Sequence, residues 1–213
     1  ERFTNTTILG SSHNSGIPAN CAKGLSKAKG TWVKFIAADD ILIDTCIEDN
    51  ITVAKENPDV SFIISDLIEI DAKSNIIRLS PENKGLKYFL QNQESKHKQL
   101  KAYARWPAFL NTPSFFYKRE LIEDSPLKEP ENYKIYEDTT IVFSLLDKGV
   151  KIYYLNKPTV KYRVHKNAIS RCKKIEHKRE KEAYKVYRDY RMQYLSPFNP
   201  IDLSVYYESW LRF

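Results

Sequence analysis

The chain has 213 residues, of which 42% are hydrophobic and 29% are charged, a composition that favours one globular domain with room for a core. It contains no apolar run of the length that spans a bilayer. Its three cysteines lie far apart, which excludes a disulfide framework or a zinc site and indicates a reducing compartment. The net charge of +7 favours an anionic partner such as a nucleotide, a lipid headgroup or a nucleic acid.

The first 65 residues alternate between predicted strands and helices. The predicted strands are 6–9, 31–36 and 60–64, and the predicted helices are 18–28 and 45–56. Val60 to Ile64 is continuously apolar, which is typical of a strand buried on both faces. Alternating strands and helices predict an α/β fold in which helices flank a mixed, mainly parallel sheet.

The middle of the chain is less regular. Leu67 to Ile70 and Ile76 to Leu79 flank a polar turn and predict a hairpin. The polar segment from Tyr88 to Tyr103 predicts an exposed helix. Further on we predict a short aromatic strand at 114–117, a helix at 139–146, and strands at 150–155 and 159–164.

The C-terminal segment has its own pattern and divides the chain into a domain at 1–170 and an extension at 171–213. From Arg171 to Met192 there are nine Lys or Arg residues against four acids, and tyrosines stand at 184, 187, 190 and 194. This spacing predicts an amphipathic helix with a tyrosine stripe and a basic face. The stripe either packs on the domain, or the segment binds a membrane or nucleic acid through its basic face.

Two adjacent carboxylates, Asp39 and Asp40, follow the predicted strand at 31–36. Adjacent carboxylates repel each other, and a protein keeps them most easily where a cation or a metal-bound polyphosphate lies between them. Strand ends are also where open α/β sheets bind ligands. The alternative for such a pair is an ordinary solvated turn.

Four segments now stand in a fixed order. They are Asn14–Gly24 (with the motif Asn-x-Gly), Ile36–Asp40, Tyr136–Asp138 and Tyr162–His165. In this order the chain resembles the family 2 glycosyltransferases of the GT-A fold, from about Thr6 to Ser170. Each motif alone is weak, and the order gives the resemblance its specificity.

The resemblance implies a role for each acidic and basic residue at the donor. Asp40 is expected to bind Mn²⁺ or Mg²⁺, which neutralises the diphosphate leaving group. Asp39 is expected to contact hydroxyls of the ribose or sugar, or a metal-bound water. Arg163 is expected to stabilise the leaving group, and His165 to bind phosphate or metal.

The same resemblance makes Asp138 the general base that takes the proton of the acceptor hydroxyl. The alternative is that Glu137 and Asp138 only cap the helix that follows them. Two lysines near the other motifs, Lys23 and Lys34, either contact phosphate or are solvated, and we expect them to be solvated.

The chain departs from the family pattern at several positions. Family members often carry Arg where Cys21 stands, Asn where Ala22 stands and a further Asp where Ala37 stands. They normally begin with a strand–helix–strand unit that binds uracil, and the sequence shows no trace of it before Thr6. We therefore expect either a longer protein or one that binds its donor abnormally.

The resemblance implies an inverting glycosyltransferase that moves a sugar from a nucleotide-diphosphate donor, expected to be a UDP-sugar, to a hydroxyl acceptor. The acceptor is expected to be a saccharide or a lipid-linked saccharide of a surface polysaccharide or glycolipid. We expect a cytoplasmic protein with possible peripheral membrane contact and no nucleic acid partner. Two alternatives stay open at this point, a nucleotidyltransferase and a non-catalytic basic module that binds a membrane or nucleic acid.

Overall fold

A computed structural model describes residues 5–10, 12–79, 84–107, 110, 112–123, 125–126, 132–165, 168 and 173–212. The α-helices are α1 (Ile17–Leu25), α2 (Cys46–Glu56), α3 (Lys84–Leu90), α4 (Lys96–Arg105), α5 (Arg119–Glu123), α6 (Glu137–Asp147), α7 (Glu176–Val186) and α8 (Pro200–Arg212). The strands are β1 (Trp32–Val33), β2 (Ile41–Leu42), β3 (Phe62–Ile70), β4 (Ile76–Leu79), β5 (Phe116–Lys118) and β6 (Ile152–Arg163).

The strands form one mixed sheet in the order β1-β5-β3-β6-β2, and β4 pairs with β3 beyond β5. The long central pair of β3 and β6 is parallel and extends through nine residue pairs. The pairings of β1 with β5, β5 with β3, β3 with β4 and β6 with β2 are antiparallel. The predicted α/β fold, a mixed sheet with flanking helices and a C-terminal helical segment, is confirmed.

Several predicted strands have different bounds in the structure. Residues 6–9 form no strand, and Ile8 is 92% exposed, because no described segment lies alongside to accept and donate the backbone hydrogen bonds of a strand. The segments 60–64 and 67–70 join into the single strand β3. The segments 150–155 and 159–164 likewise join into β6, since shifts in register absorb Pro158, which has no N–H to donate.

The prediction of an exposed helix from Tyr88 to Tyr103 is wrong. The segment forms two helices, and α4 buries one whole face in the core. The buried residues of α4 are Gln99, Leu100, Ala102, Tyr103, Ala104 and Arg105. Polar members of this face are satisfied by partners distant in sequence, since Gln99 donates to the Val150 carbonyl and Arg105 pairs with Asp202 at 2.6 Å.

Three of the four stripe tyrosines of the C-terminal segment pack on the domain, whereas Tyr184 is 44% exposed. Tyr187 is buried, and the rings of Tyr190 and Tyr194 lie 5.7 and 6.1 Å from the ring of Phe143 in α6. Of the two interpretations of the stripe, the structure therefore supports packing. Residues 169–172 lie outside the described residues, so the predicted division at residue 170 stays a prediction.

In the part of the chain that the structure describes, no helix has both the length and the apolarity needed to cross a membrane.

Candidate active site

The acidic pair meets the end of β6 through one short strand pairing. The strand β2 runs antiparallel to β6, with Ile41 opposite Lys161. Continuing this register by one and two residues places Asp40 opposite Tyr162 and Asp39 opposite Arg163. Residues more than 120 positions apart in sequence therefore lie side by side.

Hydrogen bonds hold these two segments together. The backbone N–H of Arg163 donates to Asp40 Oδ1 at 2.8 Å, and its guanidinium donates to the carbonyls of Asp39 and Asp71, both at 2.7 Å. The imidazole Nε2 of His165 lies 2.9 Å from Asp39 Oδ2. Arg163 thus ties the acidic pair to the turn of the β3–β4 hairpin, and Asp39 orients His165.

The second oxygen of Asp40 has no donor in the part of the chain that the structure describes. Asp40 Oδ2 is buried and makes no hydrogen bond among the described residues. Burial raises the pKa of Asp40, and the neighbouring Asp39 adds to the rise, whereas the bond from the Arg163 N–H opposes it. Burying a carboxylate oxygen without a hydrogen-bond donor is unfavourable in free energy. This oxygen is therefore suited to bind a partner that is not part of the described chain.

The donor set around Asp40 suits a hard divalent cation that is shared with a ligand. No group of three or more His, Cys, Asp or Glu side chains within the described ranges could hold a metal by itself. Mg²⁺ is commonly bound through one or two carboxylates, substrate phosphates and water, and Mn²⁺ also takes oxygen ligands. The buried Oδ2 of Asp40 fits one such carboxylate ligand.

Asp138 lies in a cavity of about 150 Å³ beside the same end of β6. The cavity is lined by Leu67, Leu110, Thr112, Pro113, Asp138 and Tyr162. Tyr162, which lines the cavity, directly precedes Arg163 near the end of β6. The structure therefore brings Asp39, Asp40, Arg163 and His165 into contact at the end of β6, and it places Asp138 in a cavity that the same end of β6 lines.

Threonines on both sides hold the Asp138 carboxylate. The Thr112 hydroxyl donates to Oδ2, and the backbone N–H of Thr139 donates to Oδ1 at 2.6 Å. Burial raises the pKa of Asp138, and these bonds partly oppose the rise. The bond from Thr139 satisfies one N–H in the first turn of α6, so Asp138 does contribute to capping, while Tyr136 occupies the N-cap position itself. Such a role is compatible with catalysis, because each carboxylate oxygen accepts more than one hydrogen bond.

Lys34 was expected to be solvated, and this is wrong. Its side chain is partly buried, and its ammonium donates to the carbonyl of Pro113. Burial lowers the pKa of Lys34 to about 8, although Cys46 and Asp40 act in the opposite direction. The sequence signal for this position is a lone lysine inside the otherwise apolar run from Trp32 to Ile36. Lys23, by contrast, is exposed and donates to the carbonyl of Gly10.

Glu137 is a second buried carboxyl beside Asp138. Its Oε2 atom is buried without a hydrogen bond among the described residues. Burial raises the pKa of Glu137 to about 8, and the charges of Asp138 and Glu182 add to the rise. Cys21 interacts with Glu137, and its thiol brings no positive charge to the buried carboxyl. At neutral pH Glu137 is therefore mostly protonated.

Comparison with known proteins identifies the family. A sequence model described as glycosyl transferase family 2 matches residues 2–125, more than half of the chain. The chain therefore belongs to glycosyltransferase family 2, its mixed sheet fits the GT-A fold, and the family suggests glycosyltransferase activity. The match includes Asp39 and Asp40, whereas Asp138, Arg163 and His165 lie beyond it. A comparison with curated proteins found no match.

The raised pKa of Glu137 gives a testable dependence of stability on pH. Because the folded pKa of about 8 exceeds the ordinary value of 4.5, folding favours the protonated form. The wild-type protein should lose stability relative to Glu137→Gln as pH rises from 4.5 to about 8, by roughly 3 kcal/mol if most of the shift is realised. Urea unfolding of both proteins at the two ends of this window measures the difference.

Glu56→Gln is the matched control, because Glu56 is an exposed carboxylate at the end of α2. Its unfolding free energy should follow that of the wild type at every pH. If the curves of wild type and Glu137→Gln ran parallel across the window, Glu137 would not be a buried, protonated carboxyl.

Proposed function

We propose that the protein is an inverting glycosyltransferase that moves a sugar from a nucleotide-diphosphate donor to a hydroxyl acceptor. The observation that carries the proposal is the acidic cluster of Asp39 and Asp40 at Arg163 and His165, in which one buried oxygen of Asp40 has no donor among the described residues. Tyr162, the residue before Arg163, lines a cavity that contains a buried carboxylate, Asp138. Membership of family 2 supports glycosyl transfer over the alternative of nucleotidyl transfer.

The acidic cluster would form the donor end of the site. Asp40 Oδ2 would hold Mn²⁺ or Mg²⁺ together with the donor phosphates, and the cation, when bound, would neutralise the charge that the diphosphate gains on leaving. Asp39 orients His165 beside this position, where the imidazole adds a hydrogen-bonding group suited to a phosphate or to the metal. Arg163 fixes the geometry of the acidic pair and adds a positive charge.

Asp138 would act at the acceptor end. One of its oxygens takes the proton of the acceptor hydroxyl, and the acceptor oxygen forms a bond to the anomeric carbon as the bond from that carbon to the phosphate oxygen breaks. The electron pair of the broken bond stays on the diphosphate, and this single displacement inverts the anomeric centre. The raised pKa of Asp138 makes its carboxylate a better base than an exposed aspartate, while Thr112 and Thr139 hold it in place.

The acceptor is proposed to be a saccharide or a lipid-linked saccharide, used in building a surface polysaccharide or glycolipid on the cytoplasmic side of a membrane. The exposed lysines Lys173, Lys174 and Lys178 support a weak peripheral contact with anionic lipid. Tyr190 and Tyr194 pack inward on Phe143, and these lysines give the segment its charge towards such a surface.

The metal ligand is tested by Asp40→Asn. The amide keeps an oxygen for the Arg163 N–H and replaces the buried Oδ2 with an NH₂ group, which does not bind a cation. Mn²⁺-dependent binding of UDP should weaken on the order of 100-fold, whereas any binding without Mn²⁺ should change little. Titration calorimetry of the intact protein with UDP, with and without Mn²⁺, measures both affinities.

Asp44→Asn is the control, since it removes the same charge from an exposed position four residues away. Its affinity for UDP in the presence of Mn²⁺ should equal that of the wild type. An unchanged affinity in Asp40→Asn would remove Asp40 from the metal site.

The general base is tested by Asp138→Asn. The amide is nearly isosteric and retains an oxygen for the Thr139 N–H, so folding and UDP affinity should be preserved. Transfer should fall by roughly 10²- to 10⁴-fold, the scale of a lost general base. Release of UDP from a panel of UDP-sugars, with water or added saccharides as acceptor, measures turnover.

The matched control is Asp147→Asn at the other end of α6, where the carboxylate is 61% exposed. It should turn over like the wild type. Turnover of Asp138→Asn at the wild-type rate would leave Asp138 with a structural role alone.

A further inference from the structure

Lys34 lies between the two halves of the proposed site. It follows β1 directly, and its ammonium reaches across to the carbonyl of Pro113. Pro113 and its neighbour Thr112 both line the cavity, and the Thr112 hydroxyl donates to Asp138. A short chain of contacts therefore leads from the strand that precedes the acidic pair to the proposed base.

The surroundings of Lys34 remove its side chain from water and supply partners for its ammonium group. Its side chain is largely removed from water, and burial lowers its pKa to about 8. The charges of Cys46 and Asp40 act in the opposite direction, which places the ammonium near the acidic cluster as well as against Pro113. A buried ammonium is unfavourable unless it has partners, and these groups supply them.

We propose that Lys34 is a positioning residue for Asp138. Lys34 holds the Thr112–Pro113 turn in place, so that the Thr112 hydroxyl points at the Asp138 carboxylate. The consequence for the reaction rests on the proposed function, in which Asp138 is the base. The same contact also sets the cavity wall formed by Pro113 at a fixed distance from the strand that leads to Asp40. The donor end and the acceptor end are thereby held in one arrangement.

The hydrogen bond from Thr112 gives the proposal a direct readout. This bond lowers the pKa of Asp138, so its loss should raise that pKa. The other titratable groups that interact with Asp138 do not change their charge at acidic pH, so they do not disturb its titration. Burial raises the pKa of Tyr103 and Tyr117 well above the ordinary value, and that of Glu137 to about 8, so all three are protonated there.

The test is a ¹³C NMR titration of protein labelled at the aspartate carboxyl carbons, with the Asp138 signal identified by its absence in Asp138→Asn. In Lys34→Met the amine is lost while most of the side chain remains. The titration midpoint of Asp138 should move to higher pH in this variant. Lys34→Arg, which keeps a donor for the Pro113 carbonyl, should restore the wild-type midpoint. Should Lys34→Met not fold, Lys34→Gln, which shortens the side chain and removes its charge, serves the same comparison.

A double-mutant cycle separates positioning from a general loss of structure. Thr112→Val removes the hydroxyl and should raise the midpoint by itself. Lys34→Met should then add nothing further in the Thr112→Val protein, because Lys34 acts through Thr112. Lys98→Met, which removes an exposed lysine paired with Glu94, should leave the midpoint unchanged.

Two results would overturn the proposal: a wild-type midpoint in the Lys34 variant, or shifts that add fully in the double mutant. These measurements need no substrate, so their failure is distinct from the failure of the proposed function, which would show as full turnover by Asp138→Asn. In turnover assays with the UDP-sugar panel, Lys34→Met should lower kcat roughly 10- to 100-fold and leave the affinity for UDP with Mn²⁺ nearly unchanged.

Discussion

The site depends on one interaction, the hydrogen bond from the backbone N–H of Arg163 to the carboxylate of Asp40. It extends the pairing of β2 with β6, and it fixes one Asp40 oxygen so that the other is buried with no donor among the described residues. Because a backbone group makes this bond, the position of the carboxylate follows from the register of the strands. With the strands in this register, the side chain of Arg163 contacts the carbonyl of Asp39, and the side chain of His165 contacts the Asp39 carboxylate.

Charge around the site is arranged so that burial is tolerated at each carboxyl. Asp40 and Asp138 both have raised pKa values from burial, and hydrogen-bond donors oppose the rise at each of them. At Glu137 burial outweighs the opposing hydrogen bond and raises the pKa to about 8, so this carboxyl is mostly protonated at neutral pH. Lys34 is a partly buried cation between the two ends. In the proposed reaction, the metal-bound diphosphate would be the partner of Asp40 and the acceptor hydroxyl the partner of Asp138.

The sequence predicted the parts of the molecule whose signals are local or ordered along the chain. The hairpin formed by β3 and β4, the buried centre of β3 and the position of α6 follow from local patterns, and the family resemblance assigned Asp39, Asp40, Arg163 and His165 to one donor site. The buried face of α4 was missed because its polar members are satisfied by Val150 and Asp202, which are distant in sequence. Lys34 was wrongly expected to be solvated and Thr112 was missed for the same reason, since their contacts form only where separate segments of the chain come together.

The central claim is that the buried oxygen of Asp40 is a metal position, and anomalous X-ray diffraction from crystals grown with Mn²⁺ and UDP tests it most directly. The account predicts an anomalous peak at about 2.1 Å from Asp40 Oδ2, the distance typical of such cations to oxygen, with the UDP phosphates completing the coordination. The Arg163 N–H should still donate to Asp40 Oδ1 in that crystal. A Mn²⁺ peak bound by other residues, with Asp40 Oδ2 still buried against protein, would contradict the account.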